Sequence, residues 1–235
     1  MLNTSLRYPL GVKAVLFDLD GTLLDTIHDL AFSANRMLEA LELTPLSEEL
    51  IKTFVGKGIP NLVKRTLQTG LGYEDIPEND WKNAIIEFEK QYAIYLTRKI
   101  QPFPEVIEGL NTIRNEGYRM ACITNKAERF TVPLLQAANL DTYFELIISG
   151  DSLPKKKPDP AQLLHVAEKF NISPTEMVLI GDSVNDYEAA RAAGSYIFIV
   201  PYGYNEGRDA TQLAADAVIS GVVEAAKLLK NVGRL

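Results

Sequence analysis

The stretch VLFDLDGTLLD at residues 15–25 decides the fold of this chain. It starts as a short apolar run, the pattern of a strand buried on both faces. It then breaks into two aspartates, Asp18 and Asp20, followed by Gly21 and Thr22. In parallel α/β sheets, ligands bind beyond the carboxyl ends of the strands. Two carboxylates this close are costly without a counter-charge, and a bound cation is the natural resolution. Gly21 permits a tight turn and lets main-chain N–H groups approach a ligand. The competing reading is a turn that merely caps the next helix; it explains a bare DxD but not the whole string after an apolar strand.

Outward from this point, the apolar runs at 13–17, 119–123, 146–149, 177–180 and 196–200 read as strands, with a shorter candidate at 217–219. Helical stripes lie between them. Val106, Ile107, Leu110 and Ile113 follow Pro104 and stop at Gly117; Leu163, Leu164, Val166, Ala167 and Phe170 form another. Strand–helix alternation means right-handed crossovers and a parallel sheet, so the fold class is α/β. Residues 26–99 differ: they offer no strand. Ile27, Leu30, Ala31, Ala34, Met37, Leu38 and Leu41 recur at helical spacing. Ser47, with Glu48 and Glu49 behind it, reads as the N-cap of a second helix carrying Leu50, Ile51, Phe54 and Val55. Leu62, Val63 and Leu67 mark a third; Trp81, Ala84, Ile85, Phe88, Tyr92 and Leu96 mark a fourth. The expected organisation is an α/β core of residues 1–25 and 100–235, with a small all-helical domain of residues 26–99 inserted after the first strand. The stretch Gln101-Pro102-Phe103-Pro104 reads as the return linker.

Three later strand ends carry polar groups. Thr124 and Asn125, in ACITNK, can donate hydrogen bonds to phosphate oxygens. In KKKPDP, Pro158 holds Lys157 extended and fixes where its cation points. The run MVLIGDSVND adds Asp182 and Asp186. Each signal alone has a plain alternative, a helix cap or a solvated charge. Together they bring carboxylates able to hold magnesium, a lysine and hydroxyl–amide pair able to clamp a phosphoryl group, and carboxylates able to attack and to move protons. The loop Gly56-Lys57-Gly58 in the helical insert is a candidate contact to a substrate carboxylate through Lys57. There is no GxxxxGK[ST] loop and no GxSxG elbow. His28 and His165 lie in helical stretches away from strand ends and read as structural.

Charge excludes other classes. The 235 residues carry a net charge of -7 and a pI of about 5.0, which disfavours nucleic acid and anionic membrane as partners. The basic run Lys155–Lys157 is too short to reverse this. Cys122 is the single cysteine, so no intramolecular disulfide forms; its apolar neighbours make it a core residue. The N-terminal MLNTSLRYPLG lacks the apolar core of a signal peptide, and no stretch reaches membrane-spanning length without charge, so the expected location is the cytoplasm. The sequence does not choose between monomer and homodimer.

With these motifs in order — DLDGT, TNK, KKKPDP and GDSVND — the chain resembles the haloacid dehalogenase-like superfamily of phosphohydrolases from Lys13 onward, with an insert similar to that family's small helical cap. The resemblance implies a magnesium-dependent phosphomonoester hydrolase. In it Asp18 is the nucleophile that becomes an aspartyl phosphate, and Asp20 is the general acid and base. Magnesium is held by Asp18, the main-chain carbonyl of Asp20 and Asp182. Asp186 acts behind them through water or on Lys157, and Thr124 and Lys157 bind the phosphoryl oxygens. The stretches FVGKG, ITNKAERFTVPLL and YGYNEG resemble the branch that hydrolyses 2-phosphoglycolate, so a small phosphorylated metabolite is the expected partner. Other readings are a sugar-phosphate phosphatase or phosphomutase of the same superfamily, and a non-catalytic phosphometabolite-binding relative. A dehalogenase would leave Asp20 and the GDSVND carboxylates without a purpose.

Overall fold

The structure, a computed structural model, describes residues 1–3 and 5–233; residue 4 and the last two residues of the expected core lie outside the described ones. In chain order the strands are β1 (Leu10–Val12), β2 (Ala14–Phe17), β3 (Leu24–Asp25), β4 (Gln101–Pro102), β5 (Arg119–Ile123), β6 (Leu146–Ile148), β7 (Met177–Gly181), β8 (Tyr196–Ile199), β9 (Ala217–Val218) and β10 (Leu229–Asn231). The helices are α1 (Ile27–Ala40), α2 (Glu48–Lys52), α3 (Ile59–Leu71), α4 (Glu78–Tyr95), α5 (Val106–Asn115), α6 (Glu128–Ala137), α7 (Ala161–Phe170), α8 (Val184–Ala193) and α9 (Val222–Lys227).

Six strands form one sheet in the order β6-β5-β2-β7-β8-β9, and every pair is parallel. Side chains of a strand alternate between faces, and here both faces are buried. Val15 and Phe17 of β2 join Met120 and Cys122 of β5 and Val178 and Ile180 of β7 on one face. Ala14 and Leu16 join Ala121, Ile123, Met177 and Leu179 on the other. Helices α5, α6 and α9 cover the first face; α7 and α8 cover the second. Each such aliphatic side chain removed from water contributes about 1.5–3 kcal/mol. That explains why these runs read as unbroken apolar stretches rather than alternating ones. Leu41, Ile107 and Leu164 sit on the predicted helical stripes yet are exposed, because each stripe is wider than the face its helix packs.

The sheet centre fixes the site. Strands β2, β5 and β7 are neighbours in register, Phe17 opposite both Cys122 and Ile180. Asp18, Thr124 and the Gly181–Asp182 corner therefore leave the sheet side by side. Helices α1 to α4 pack on one another, α4 resting on α1 and α3, with Ser47 capping α2 through the Leu50 N–H at 3.3 Å as expected. Two short pairings were not visible in the sequence. β1 pairs β10 in parallel. β3 pairs β4 antiparallel, so the chain entering the helical segment and the chain leaving it form one ribbon, Leu24 opposite Pro102. A two-residue strand carries too little periodicity to be read.

Candidate active site

A cleft with about 590 Å³ of empty space, solvent at its mouth included, opens where the central strands end. Its floor holds Asp18, Asp20, Thr124, Lys157 and Asp182; its roof is Leu30, Val55, Ile59 and Leu62 of the helical segment. The ammonium of Lys157 donates to Asp18 Oδ1 at 2.7 Å, Asp186 Oδ1 at 2.6 Å and the Ile123 carbonyl at 2.9 Å. All three charged groups are buried. Asp182 accepts from the Tyr204 N–H at 2.7 Å and the Thr22 hydroxyl at 3.2 Å. Asp186 accepts from the Ser183 N–H and hydroxyl, so it caps α8 as well as facing Lys157.

Carboxylate oxygens of Asp18, Asp182 and Asp186 lie within 4.8 Å of one another. Three buried carboxylates face the one ammonium of Lys157, so full ionisation leaves two negative charges in excess. Burial above all, with Asp186 and Asp182 beside it, pushes the Asp18 carboxyl well above the usual carboxylate range against the pull of Lys157. Burial and Asp186 push Asp182 up to about 7. Burial alone would pull the Lys157 ammonium down, but Asp18 and Asp186 outweigh it and hold Lys157 charged. A group of oxygen donors with two negative charges to spare fits a hard divalent cation. Backbone glycines make the crowding possible. Gly21 sits at φ +87°, and a side chain there would collide with Asp182; a side chain at Gly203 would collide with it too.

Asp20 stands slightly apart. Its Oδ1 accepts from the Thr26 hydroxyl at 2.6 Å and its Oδ2 lies 3.1 Å from the ammonium of Lys126. Lys126 is buried, and Asp20 and Tyr92 hold its ammonium above the ordinary lysine range although burial opposes them. Thr124 is buried, its hydroxyl accepting from the Lys126 N–H at 3.2 Å.

Of the two further expected substrate contacts, Asn125 lines the cleft and Lys57 does not, and both are engaged with groups of the protein. Asn125 donates both amide hydrogens to main-chain carbonyls, to Gly56 at 3.0 Å and to Lys157 at 2.8 Å. That ties the GKG loop to the core, and among the described residues the buried Oδ1 of Asn125 has no partner. The ammonium of Lys57 pairs with Glu206 at 3.1 Å and is not part of the cleft lining; its neighbours Gly56 and Gly58 are. Glu206 draws it away because that carboxylate is itself nearly buried and needs a cation. His28 bridges Glu48 and Lys99 on the surface.

Sequence reading passed over Lys126, Thr22 and Tyr204. Lys126 stands beside Thr124 and Asn125 in the quoted motif, but a lysine at a helix start looks like a solvated charge until Tyr92 is placed above it. The Tyr204 hydroxyl accepts from the Thr26 and Ile27 N–H groups at 2.8 and 3.0 Å and donates to Asp25. It thus caps α1 from the far end of the chain, which frees the Thr26 side chain for Asp20. Nothing local in the sequence signals that exchange.

Among the described residues, no helix is long and apolar enough to cross a membrane. The sequence profile of the haloacid dehalogenase-like hydrolases matches residues 15–200. The chain is 53% identical to a phosphoglycolate phosphatase of Nitrosospira multiformis, over 96% of this chain and 99% of that one. It is 50% identical to a phosphoglycolate phosphatase of Thiobacillus denitrificans, over 94% and 97%. The crystal structure of a predicted phosphoglycolate phosphatase from Haemophilus somnus superimposes with a TM-score of 0.88 at 32% identity, covering 92% of this chain and 97% of that one. With a profile match that takes in all four motif-bearing strand ends and relatives that align nearly end to end, this chain belongs to the haloacid dehalogenase-like hydrolase family.

Proposed function

We propose that this protein is a magnesium-dependent phosphatase that hydrolyses 2-phosphoglycolate to glycolate and phosphate. The observation that carries the reading is the buried group of Asp18, Asp182 and Asp186 around Lys157, with its excess of negative charge at the ends of adjacent strands. Asp18, Asp182 and the main-chain carbonyl of Asp20 hold the magnesium, with Asp186 behind them. When bound, the metal offsets the negative charge of the phosphoryl oxygens.

The residues divide the reaction as follows. A carboxylate oxygen of Asp18 attacks phosphorus, and the bond from phosphorus to the leaving oxygen breaks. Asp20 gives that oxygen its proton, since an alkoxide is a poor leaving group. Asp20 then takes a proton from water, which attacks the phosphorus of the aspartyl phosphate and returns Asp18 as a carboxylate. Lys157 and Thr124 bind phosphoryl oxygens and keep the reacting groups in place. Residues 26–99 act as a cap domain that excludes water from the cleft.

Two observations support a small substrate. The roof offers the apolar side chains of Leu30, Val55, Ile59 and Leu62, which give the hydroxyls of a hexose no partners. The relatives that align over nearly the whole chain are named phosphoglycolate phosphatases. The test is a phosphate-release screen over small phosphomonoesters with magnesium, before and after chelation. We expect 2-phosphoglycolate to give the highest kcat/KM and chelation to abolish release. A hexose phosphate winning by more than about tenfold, a gap of about 1.4 kcal/mol in transition-state binding, overturns the substrate assignment.

A further inference from the structure

One buried cation of the cleft has no part in the reaction as described. Lys126 is 5% exposed, yet it touches neither Asp18 nor Asp182 in any hydrogen bond. Its ammonium donates to the Tyr92 hydroxyl at 3.0 Å and lies 3.1 Å from Asp20 Oδ2. Burying an ammonium costs several kcal/mol unless it is paired and hydrogen-bonded, so a lysine here is not a filler of space.

The partners come from two different parts of the molecule. Asp20 follows the first sheet strand, whereas Tyr92 lies on α4 of the helical segment. Tyr92 is fully buried and set between Phe88 and Phe130, with ring centroids 5.6 and 5.1 Å away. Such a ring has no freedom to follow a moving ammonium, so it fixes Lys126 instead. The other oxygen of Asp20 is held by Thr26, the residue just before α1. Both oxygens of the Asp20 carboxylate are therefore oriented by contacts that lead to the roof. A carboxylate has about four lone-pair sites, so these two bonds leave others to reach the leaving oxygen.

We propose that Lys126 is a positioning residue for Asp20, and that Tyr92 makes this positioning conditional on α4 being seated against the core. Proton transfer is then in register only when the roof is in place. The inference rests on Asp20 being the proton carrier of the proposed function.

The experiment compares Lys126→Met, Tyr92→Phe and Asp20→Asn with the unaltered protein at saturating magnesium. Rapid-mix kinetics follow glycolate release from 2-phosphoglycolate and the nitrophenolate burst from p-nitrophenyl phosphate, whose leaving group needs no proton. Because general acid catalysis supplies ~10²–10⁴-fold and mispositioning forfeits part of it, Lys126→Met is expected to lose about 10–100-fold in glycolate release and less than about threefold in the burst. Tyr92→Phe, which keeps the ring packing, is expected to lose about 3–10-fold in the same pattern, with KM for 2-phosphoglycolate little changed. If Lys126→Met does not fold, Tyr92→Phe carries the test. Equal losses on both substrates would mean a purely structural lysine and overturn the inference. A raised KM with unchanged kcat on both substrates would mean direct phosphoryl binding and overturn it too. If Asp20→Asn itself loses equally on both substrates, the assignment of Asp20 fails; if only Asp20→Asn discriminates, the positioning role alone fails.

Discussion

The floor and the roof of the cleft are built by different rules. The floor is charged, buried and set by strand register: Asp18, Asp182, Asp186 and Lys157 stand where they do because β2 lies between β5 and β7. The roof is apolar over the cleft and meets the floor at a few polar points, Asn125 to the Gly56 carbonyl, Lys126 to Tyr92 and Thr26 to Asp20. Under the proposed function, chemistry resides in the floor, and fit and timing in the part that rests on it. The floor also stores instability, since it holds more negative charge than Lys157 can balance. Changes to the floor should therefore be large and often opposite in sign for activity and stability; changes to the roof should be small or selective.

The largest expected effect is Asp18→Asn. It removes the proposed nucleophile, so turnover of both alkyl and aryl phosphates should disappear in steady-state assays. It also removes one of the excess charges. In chelator at pH 8 the variant should melt above the unaltered protein, and a lower melting temperature would break this contrast between activity and stability.

Lys157→Met comes next. It leaves three buried carboxylates without an ammonium, and breaking such a cluster costs about 3–5 kcal/mol, to be read by urea unfolding in chelator. A loss below about 1 kcal/mol would place Lys157 in the class of surface pairs.

The sequence showed the floor far better than the roof contacts, for a physical reason. A strand end joined to DLDGT or GDSVND is a local pattern, and the sheet turns local patterns into neighbours. Asp18, Thr124, Lys157, Asp182 and Asp186 were all legible on that ground, as were six strands and the helical character of residues 26–99. Roof contacts depend on pairs far apart in the chain, and no single stretch reveals them: Tyr204 capping α1, Lys126 under Tyr92, and Glu206 drawing Lys57 out of the cleft. The same holds for β1 with β10 and β3 with β4, where two or three residues pair across long stretches of chain.

A third effect follows from Asp182. Its folded value of about 7 exceeds the ordinary 3.8, so between these values the folded state binds more protons than the unfolded one. In that window stability falls as pH rises; below about 4 the penalty is absent, and above about 7 it is complete. Metal-free protein should therefore lose melting temperature from pH 5 to pH 7.5 through this group, and excess magnesium should remove much of the slope. A magnesium-independent profile would sever the carboxylate group from metal binding.

The smallest effect is expected in the roof. Lys57 is half exposed and paired with Glu206, so Lys57→Ala should cost no more than about 1 kcal/mol. Its kcat/KM for 2-phosphoglycolate and for an uncharged phosphomonoester should change alike. A selective rise in KM for 2-phosphoglycolate would return Lys57 to the substrate.

The central claim, that Asp18 carries the phosphoryl group, is tested most directly by trapping it. The Asp20→Asn variant, slowed in hydrolysing the intermediate, is mixed with p-nitrophenyl phosphate and magnesium, quenched in acid within the burst, digested and mapped by mass spectrometry. Phosphate is expected on the peptide bearing Asp18, in an amount close to one per active site and matching the nitrophenolate released. Phosphate on any other residue, or a full burst with no phosphorylated peptide, contradicts it.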